Sequence, residues 1–276
     1  TDGDFPLGTA PLHLGEKLIL AVSHRHMSNI RTGNDEAIRM NREGRIRHQY
    51  GVTGTSRCQR QVRKAFSSYM APALVDQLVD HPERLSLNGE TREMSFLFSD
   101  IAGFTTISES LPPKRLVALL NDYLTIMTDI VLQHGGVVDK YIGDAVVAMY
   151  GAPIPLPDHA YRACVATQLV HAKLAELRAK WRAEGDRWPE IVWNMQSRIG
   201  LNTGVCMIGN MGSRTRFNYT MMGDNVNLAA RMESGAKAWG AAIMCTEATR
   251  AACEQHAPGK VIFRPLGRIV VKGRSE

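Results

Sequence analysis

Asp100 and Asp144 are the residues whose type and setting point most directly to chemistry. Asp100 closes the stretch Met94-Ser-Phe-Leu-Phe-Ser-Asp100-Ile-Ala-Gly-Phe-Thr-Thr106, a short, aromatic, sharply ended apolar run. Such a run reads as a strand buried on both faces. A carboxylate at its end is held rigidly and still meets solvent, although alone it reads equally as a turn aspartate or a helix cap. Asp144 lies in Gly135-Gly-Val-Val-Asp-Lys-Tyr-Ile-Gly-Asp144-Ala-Val-Val-Ala-Met-Tyr150, where apolar runs flank Gly143-Asp144. That is a hairpin signal, with the Asp144 carboxylate free at a tight turn. If the hairpin pairs beside the first strand, the two carboxylates meet at one edge of the sheet. They would repel unless a cation lay between them, and oxygen-only ligands suit Mg²⁺ or Mn²⁺. Two carboxylates with open positions are a common holder for metal on a nucleoside triphosphate.

The elements around these residues are legible from periodicity. Pro112 opens a long helix whose residues Leu116, Leu119, Leu120, Tyr123, Leu124, Met127, Ile130 and Val131 make one apolar face, closed by Gly135-Gly136. Pro153, Pro155 and Pro157 stiffen a connection to a second helix over 158–183, with Asp158 as its N-cap. Residues 193–202 and 204–209 read as two strands, and 212–216 as a turn with Arg214 and Arg216 at its solvated tip. A helix over 223–239 with Asp224 as its cap, a strand over 241–245, a short helix over 246–255 and a last strand ending near Val271 complete the pattern. Strands alternating with two long helices predict an α+β sandwich, helices on one side of a mostly antiparallel sheet. Upstream, Val62, Ala65, Phe66, Tyr69 and Met70 share one helical face, and Pro72 opens a further helix. Residues 1–57 hold no sustained period. The expected division is 1–57 unassigned, 58–84 a helical linker or signalling segment, and 85–276 one catalytic domain.

Composition excludes several classes. The net charge is +6, yet residues 1–60 carry nine Lys/Arg against six Asp/Glu, so half the excess lies outside the patterned region. No basic run or stripe marks a nucleic-acid partner. Five cysteines without a Cys-x-x-Cys pair argue for reduced thiols rather than a disulfide or zinc framework. No apolar run approaches the ~18 residues of a membrane span, and no signal-peptide pattern opens the chain. The expected location is the cytoplasm, either alone or as the cytoplasmic portion of a membrane-anchored protein with a sensor or membrane domain upstream.

Phe98-Ser-Asp-Ile-Ala-Gly-Phe-Thr105 and Asp139-Lys-Tyr-Ile-Gly-Asp-Ala145 resemble the metal-binding motifs of class III nucleotidyl cyclases. Tyr219-Thr-Met-Met-Gly-Asp-Asn-Val-Asn227-Leu-Ala-Ala-Arg231-Met-Glu233 is similar to a third motif of that family, and the three follow in family order and spacing. The resemblance runs from about Gln61 to the end. It implies a ferredoxin-like, palm-type α+β core preceded by a helical segment. It also implies an adenylyl cyclase of the bacterial subgroup, turning ATP into cyclic AMP and pyrophosphate with two Mg²⁺ or Mn²⁺ ions per site. Members carry a further strand beyond Lys272-Gly273, so the chain is expected to stop short of it.

The resemblance assigns Asp100, Asp144 and the backbone carbonyl of Ile101 to the metals. Lys140 and Thr220 match the purine-selecting pair. Lys140 can only donate and so suits adenine N1; Thr220 can accept from N6. Asn227 and Arg231, four apart and so on one helix face, match the residues that orient the ribose and stabilise the pentavalent phosphorus. Arg198 and Lys272 match triphosphate contacts. Because the family builds each site from two protomers and this chain carries both halves, a head-to-tail homodimer is implied. A guanylyl cyclase is the near alternative, disfavoured by Lys140 and Thr220. A silent dimerisation module would need a lost metal aspartate or transition-state arginine. The Gly-Gly-Asp/Glu-Glu-Phe turn of diguanylate cyclases is absent, since the hairpin reads Ile142-Gly-Asp-Ala145.

Overall fold

The computed structural model describes residues 89–269, apart from 214 and 216, together with the backbone of residues 17–22. The helical segment expected over 58–84, the turn-tip Arg214 and Arg216, and Lys272 lie outside the described residues.

The centre of the sheet is β2 (Gly89–Ile101), paired antiparallel with β4 (Ala145–Tyr150) on one side and β5 (Ser197–Gly212) on the other. β3 (Val137–Ile142) forms the expected hairpin with β4, and Gly143 at its turn has φ +65°, a conformation that favours glycine. β6 (Phe217–Met222) folds back on β5, while β7 (Ile243–Thr246) pairs parallel with β5. β8 (Phe263–Ile269) and a strand from the N-terminal region, β1 (Lys17–Val22), extend the sheet in the order β3-β4-β2-β5-β7-β1-β8. A segment without a sequence period therefore joins the sheet through its backbone, between β7 and β8.

Two corrections follow from packing. Both long helices, α2 (Pro113–Gln133) and α3 (His159–Ala183), cover one face, together with the short α1 (Phe104–Ser110). A further helix, here α5 (Asp224–Ala236), packs on the other face against Met94, Phe96 and Cys206. The helices thus lie on both sides, as a strand apolar at Met94 and Phe96 on one face and Leu97 and Ile101 on the other requires. The second correction is that the two strands expected between 193 and 209 are one, β5. Residues Glu190–Trp193 form instead a short helix, α4, behind Pro189.

Smaller differences concern helix ends. Gly223 caps α5 and Asp224 is its first residue, while the helix gives way to a 3₁₀ turn over Lys237–Trp239. Asp158 does cap α3 by position, but its carboxylate accepts from Arg162 Nε at 2.8 Å rather than from the backbone. The last helix is α6 (Glu247–His256), capped by Thr246, whose hydroxyl accepts from the Thr249 N–H. By length and composition α2 could cross a membrane. Its Leu119, Tyr123, Met127 and Val131 are instead buried in the core, and its Asp122 pairs with Lys180 at 3.0 Å, so it is an internal amphipathic helix.

Candidate active site

The turn between β3 and β4 brings Asp144 beside the end of β2. Its carboxylate is not free. Asp144 is 9% exposed, and its Oδ2 accepts the Ile101 N–H at 3.0 Å. Burial pushes its carboxyl up to about 6, the neighbouring Asp100 side chain adds to the rise, and the Ile101 hydrogen bond opposes it. Asp100 and Asp144 therefore meet where β2 ends, with the hairpin paired beside that strand as expected. Beneath them Tyr123 of α2 bonds the Ser197 hydroxyl at 2.8 Å, and burial pushes its phenol up to about 12.

Arg198 supplies positive charge here. Its Nη2 donates to Asp100 Oδ2 at 2.9 Å and its Nε to Glu233 Oε1 at 3.0 Å. The residue expected on a triphosphate is thus committed to two carboxylates. Burial raises the Glu233 carboxyl, and the Arg198 hydrogen bond opposes this. The close approach of α5 depends on Gly200, where a Cβ would run into the Glu233 N–H and the Ala229 carbonyl.

The donors fit a hard divalent cation. They are oxygens only, and the Asp144 carboxyl is raised by burial and then by the Asp100 side chain beside it, a repulsion that a cation between the two would relieve. Among the described residues no cluster of three or more His, Cys, Asp or Glu side chains forms a closed metal cage.

A second cluster forms around β3. Lys140 Nζ lies 3.1 Å from Thr220 Oγ1, so the two residues expected to read the base touch within one chain. Thr220 Oγ1 in turn donates to Asp139 Oδ2 at 2.9 Å, and Lys140 Nζ lies 3.4 Å from the same carboxylate oxygen. The β3 register shifts between Val138 and Lys140, a bulge centred on Asp139.

Asn227 is exposed on α5 and Arg231 half-buried. The Arg231 Nη1 is buried without a hydrogen-bond partner among the described residues. Both lie on the side of α5 opposite Ala229, which packs on the sheet. At about 100° per residue, two positions from Ala229 are roughly 200° away around the helix.

Sequence reasoning missed two participants, Asp139 and Glu233. Each stood inside a recognised motif without a role. Strand alternation would send Asp139 and Lys140 to opposite faces; the bulge overrides that, and no residue type announced it.

Comparison with known proteins places this geometry. Residues 88–276 match the adenylate and guanylate cyclase catalytic domain. The chain is 37% identical over 184 residues to adenylate cyclase 1 of Rhizobium meliloti, covering 67% of this chain and 26% of that protein. It is 32% identical to an adenylate cyclase of Anabaena cylindrica, covering 67% of this chain and 36% of the relative. The chain thus spans between a quarter and somewhat over a third of these relatives. Among solved structures it is similar to the adenylyl cyclase CyaB from P. aeruginosa, with TM-score 0.61 and 36% identity over 69% of this chain and 92% of that one. It is also similar to the guanylate cyclase domain of RhGC from Catenaria anguillulae in complex with GTP, with TM-score 0.55 and 31% identity over 67% and 93% of the two chains. The family match takes in both clusters and every strand of the sheet except β1, and the chain belongs to the class III nucleotidyl cyclases.

Proposed function

We propose that this cyclase domain acts on ATP, forming 3′,5′-cyclic AMP and pyrophosphate at sites shared across a head-to-tail homodimer. The observation that carries the choice of ATP is the contact of Lys140 Nζ with Thr220 Oγ1 at 3.1 Å. An ammonium only donates, so it complements adenine N1 and opposes the N1–H of guanine. A hydroxyl oxygen beside it can accept from the exocyclic N6 amine.

In the reaction the ribose 3′-oxygen bonds to the α-phosphorus, the bond from that phosphorus to pyrophosphate breaks, and the hydroxyl proton is lost to solvent. Phosphoryl transfer of this kind needs positioning and charge neutralisation more than a reactive side chain. Asp100, Asp144 and the Ile101 carbonyl would hold two Mg²⁺ or Mn²⁺ ions. Bound there, such ions would supply Lewis acidity that lowers the pKa of the 3′-hydroxyl and charge that neutralises the triphosphate. Arg198 exchanges Asp100 for the phosphates while Glu233 keeps its Nε, and Lys272 is assigned to the same phosphates. Asn227 orients the ribose. Arg231 spreads the charge of the pentavalent phosphorus, a role supported by its buried, unpartnered Nη1.

Sharing the site between chains is supported by α5. Glu233 faces its own chain's Arg198, and Arg231 lies on the far side of the helix. Exposed Tyr141, Ile142, Val205, Met207 and Met222 leave apolar surface for a second copy to cover. The same reading keeps the domain in the cytoplasm, where the triphosphate is present and Cys164, Cys206, Cys245 and Cys253 remain thiols.

The test offers the full chain ATP and GTP separately with Mg²⁺ or Mn²⁺ and measures cyclic product. Cyclic AMP from ATP, little product from GTP, and loss of both in folded Asp100→Ala or Asp144→Ala are expected. Lys140→Glu with Thr220→Cys should raise the GTP/ATP ratio roughly tenfold or more, since a mismatched buried hydrogen bond costs about 1–3 kcal/mol. Preferential cyclic GMP formation would make this a guanylyl cyclase. No product from either nucleotide would make it a silent dimerisation module.

A further inference from the structure

A threonine hydroxyl does not by itself distinguish adenine from guanine. It holds one proton and two lone pairs, and it rotates to suit its partner. Facing the N6 amine it would accept; facing the O6 of guanine it would turn and donate equally well. Selectivity therefore requires that the Thr220 proton be committed elsewhere.

The structure shows where it goes. Thr220 Oγ1 is 2.9 Å from Asp139 Oδ2, and an ionised carboxylate only accepts. The proton is thus directed at Asp139. Of the oxygen lone pairs that remain, one faces Lys140 Nζ at 3.1 Å and the other has no partner among the described residues. The Asp139 side chain is 3% exposed, so water does not compete for the bond, and its Oδ1 has no other partner among the described residues. Burial raises the Asp139 carboxyl, but the Thr220 hydrogen bond and the Lys140 charge at 3.4 Å both favour the ionised, accepting form. The bulge between Val138 and Lys140 turns Asp139 and Lys140 toward the same hydroxyl.

We propose that Asp139 is a specificity-positioning residue: by accepting the Thr220 proton it locks that hydroxyl as an acceptor, which admits the N6 amine of adenine and repels the O6 of guanine. This rests on Lys140 and Thr220 reading the base. It adds a third residue that never touches the nucleotide.

The experiment measures kcat/KM for ATP and GTP, and their competition against a fluorescent nucleotide, in the full chain. Asp139→Val is nearly isosteric and suited to a strand; Asp139→Ala gives the same readout should the valine variant not fold. Freed from Asp139, Thr220 can donate to O6, so the GTP/ATP ratio should rise roughly tenfold, the discrimination expected of one hydrogen bond. Asp139→Asn keeps an amide oxygen facing Lys140 and Thr220 and should preserve the ATP preference. In a Thr220→Val background, Asp139→Val should leave the ratio where Thr220→Val alone puts it. A merely structural role would lower both nucleotides together. That outcome, or an equal change of ratio in the Thr220→Val background, overturns the proposal. Lys140→Glu with Thr220→Cys is run alongside. If its ratio does not move, the base-reading pair itself fails; if it moves while Asp139→Val does not, only Asp139 is excluded.

Discussion

Asp144 carries the clearest consequence of putting two carboxylates at one strand end. Burial and the Asp100 side chain raise its carboxyl to about 6, whereas in the unfolded chain it titrates near the usual value of about 4. The folded protein holds the extra proton between those values. That contribution to stability is full below about pH 4 and is lost as pH rises through about 6. A divalent cation competes for the same oxygens. Mn²⁺ should therefore raise the melting temperature at about pH 7.5 and do so much less at about pH 5, and Asp144→Asn should remove the shift at both. Equal shifts at the two pH values would put the cation elsewhere. At this scale the meeting of Asp100 and Asp144 was legible because a strand end and a Gly-Asp turn are local, whereas Lys140 and Thr220 were singled out by the family motifs and not by their own setting. Asp139 and Glu233 were not, because their meaning lies in a bulge and in a helix packed across the sheet.

β5 and α5 show what elements add. Thr203 looked like a break between two strands, yet it and Asn202 run through the middle of one. Asn202 donates to the Asn225 carbonyl at 2.8 Å and accepts from Thr246 Oγ1 at 2.6 Å, while Thr203 bonds Ser95 at 2.7 Å. Buried polar residues are tolerated once their partners are in place, and those partners are remote in sequence. The long apolar helix faces, by contrast, were readable because their period is local. The seat of α5 depends on Gly200. Gly200→Ala would press a methyl into the Glu233 N–H and the Ala229 carbonyl, backbone atoms that yield only if the helix moves. We expect destabilisation by about 1–3 kcal/mol, typical of an overpacked core. Turnover should fall by a common factor for ATP and GTP, because Lys140 and Thr220 lie on other elements. Thermal unfolding and the two rates check this; unchanged stability would mean that α5 is not held by that contact.

At the scale of the molecule, the described residues gather two clusters that share no hydrogen bond or ion pair: Asp100, Asp144, Arg198 and Glu233, and Asp139, Lys140 and Thr220. Arg231 points away from the face of α5 that meets its own Arg198. If each site joins one chain's carboxylates to another's Lys140, Thr220, Asn227 and Arg231, damage to the two halves is separable. Asp144→Ala removes only the metal half of a protomer and Arg231→Ala only the half that carries the purine and transition-state contacts. Either homodimer is then inactive at both sites. In a mixed dimer one site joins two damaged halves and the other joins two intact ones. With random exchange about half of the dimers are mixed, each with one working site of two, so activity should return to roughly a quarter of wild type. A site built within one chain predicts no recovery, since every chain then carries one lethal change. The two purified variants are mixed under conditions that allow subunit exchange, and cyclic product is measured against each variant alone. Recovery near that fraction supports the shared site; none at all, with exchange demonstrated, returns the whole site to a single chain.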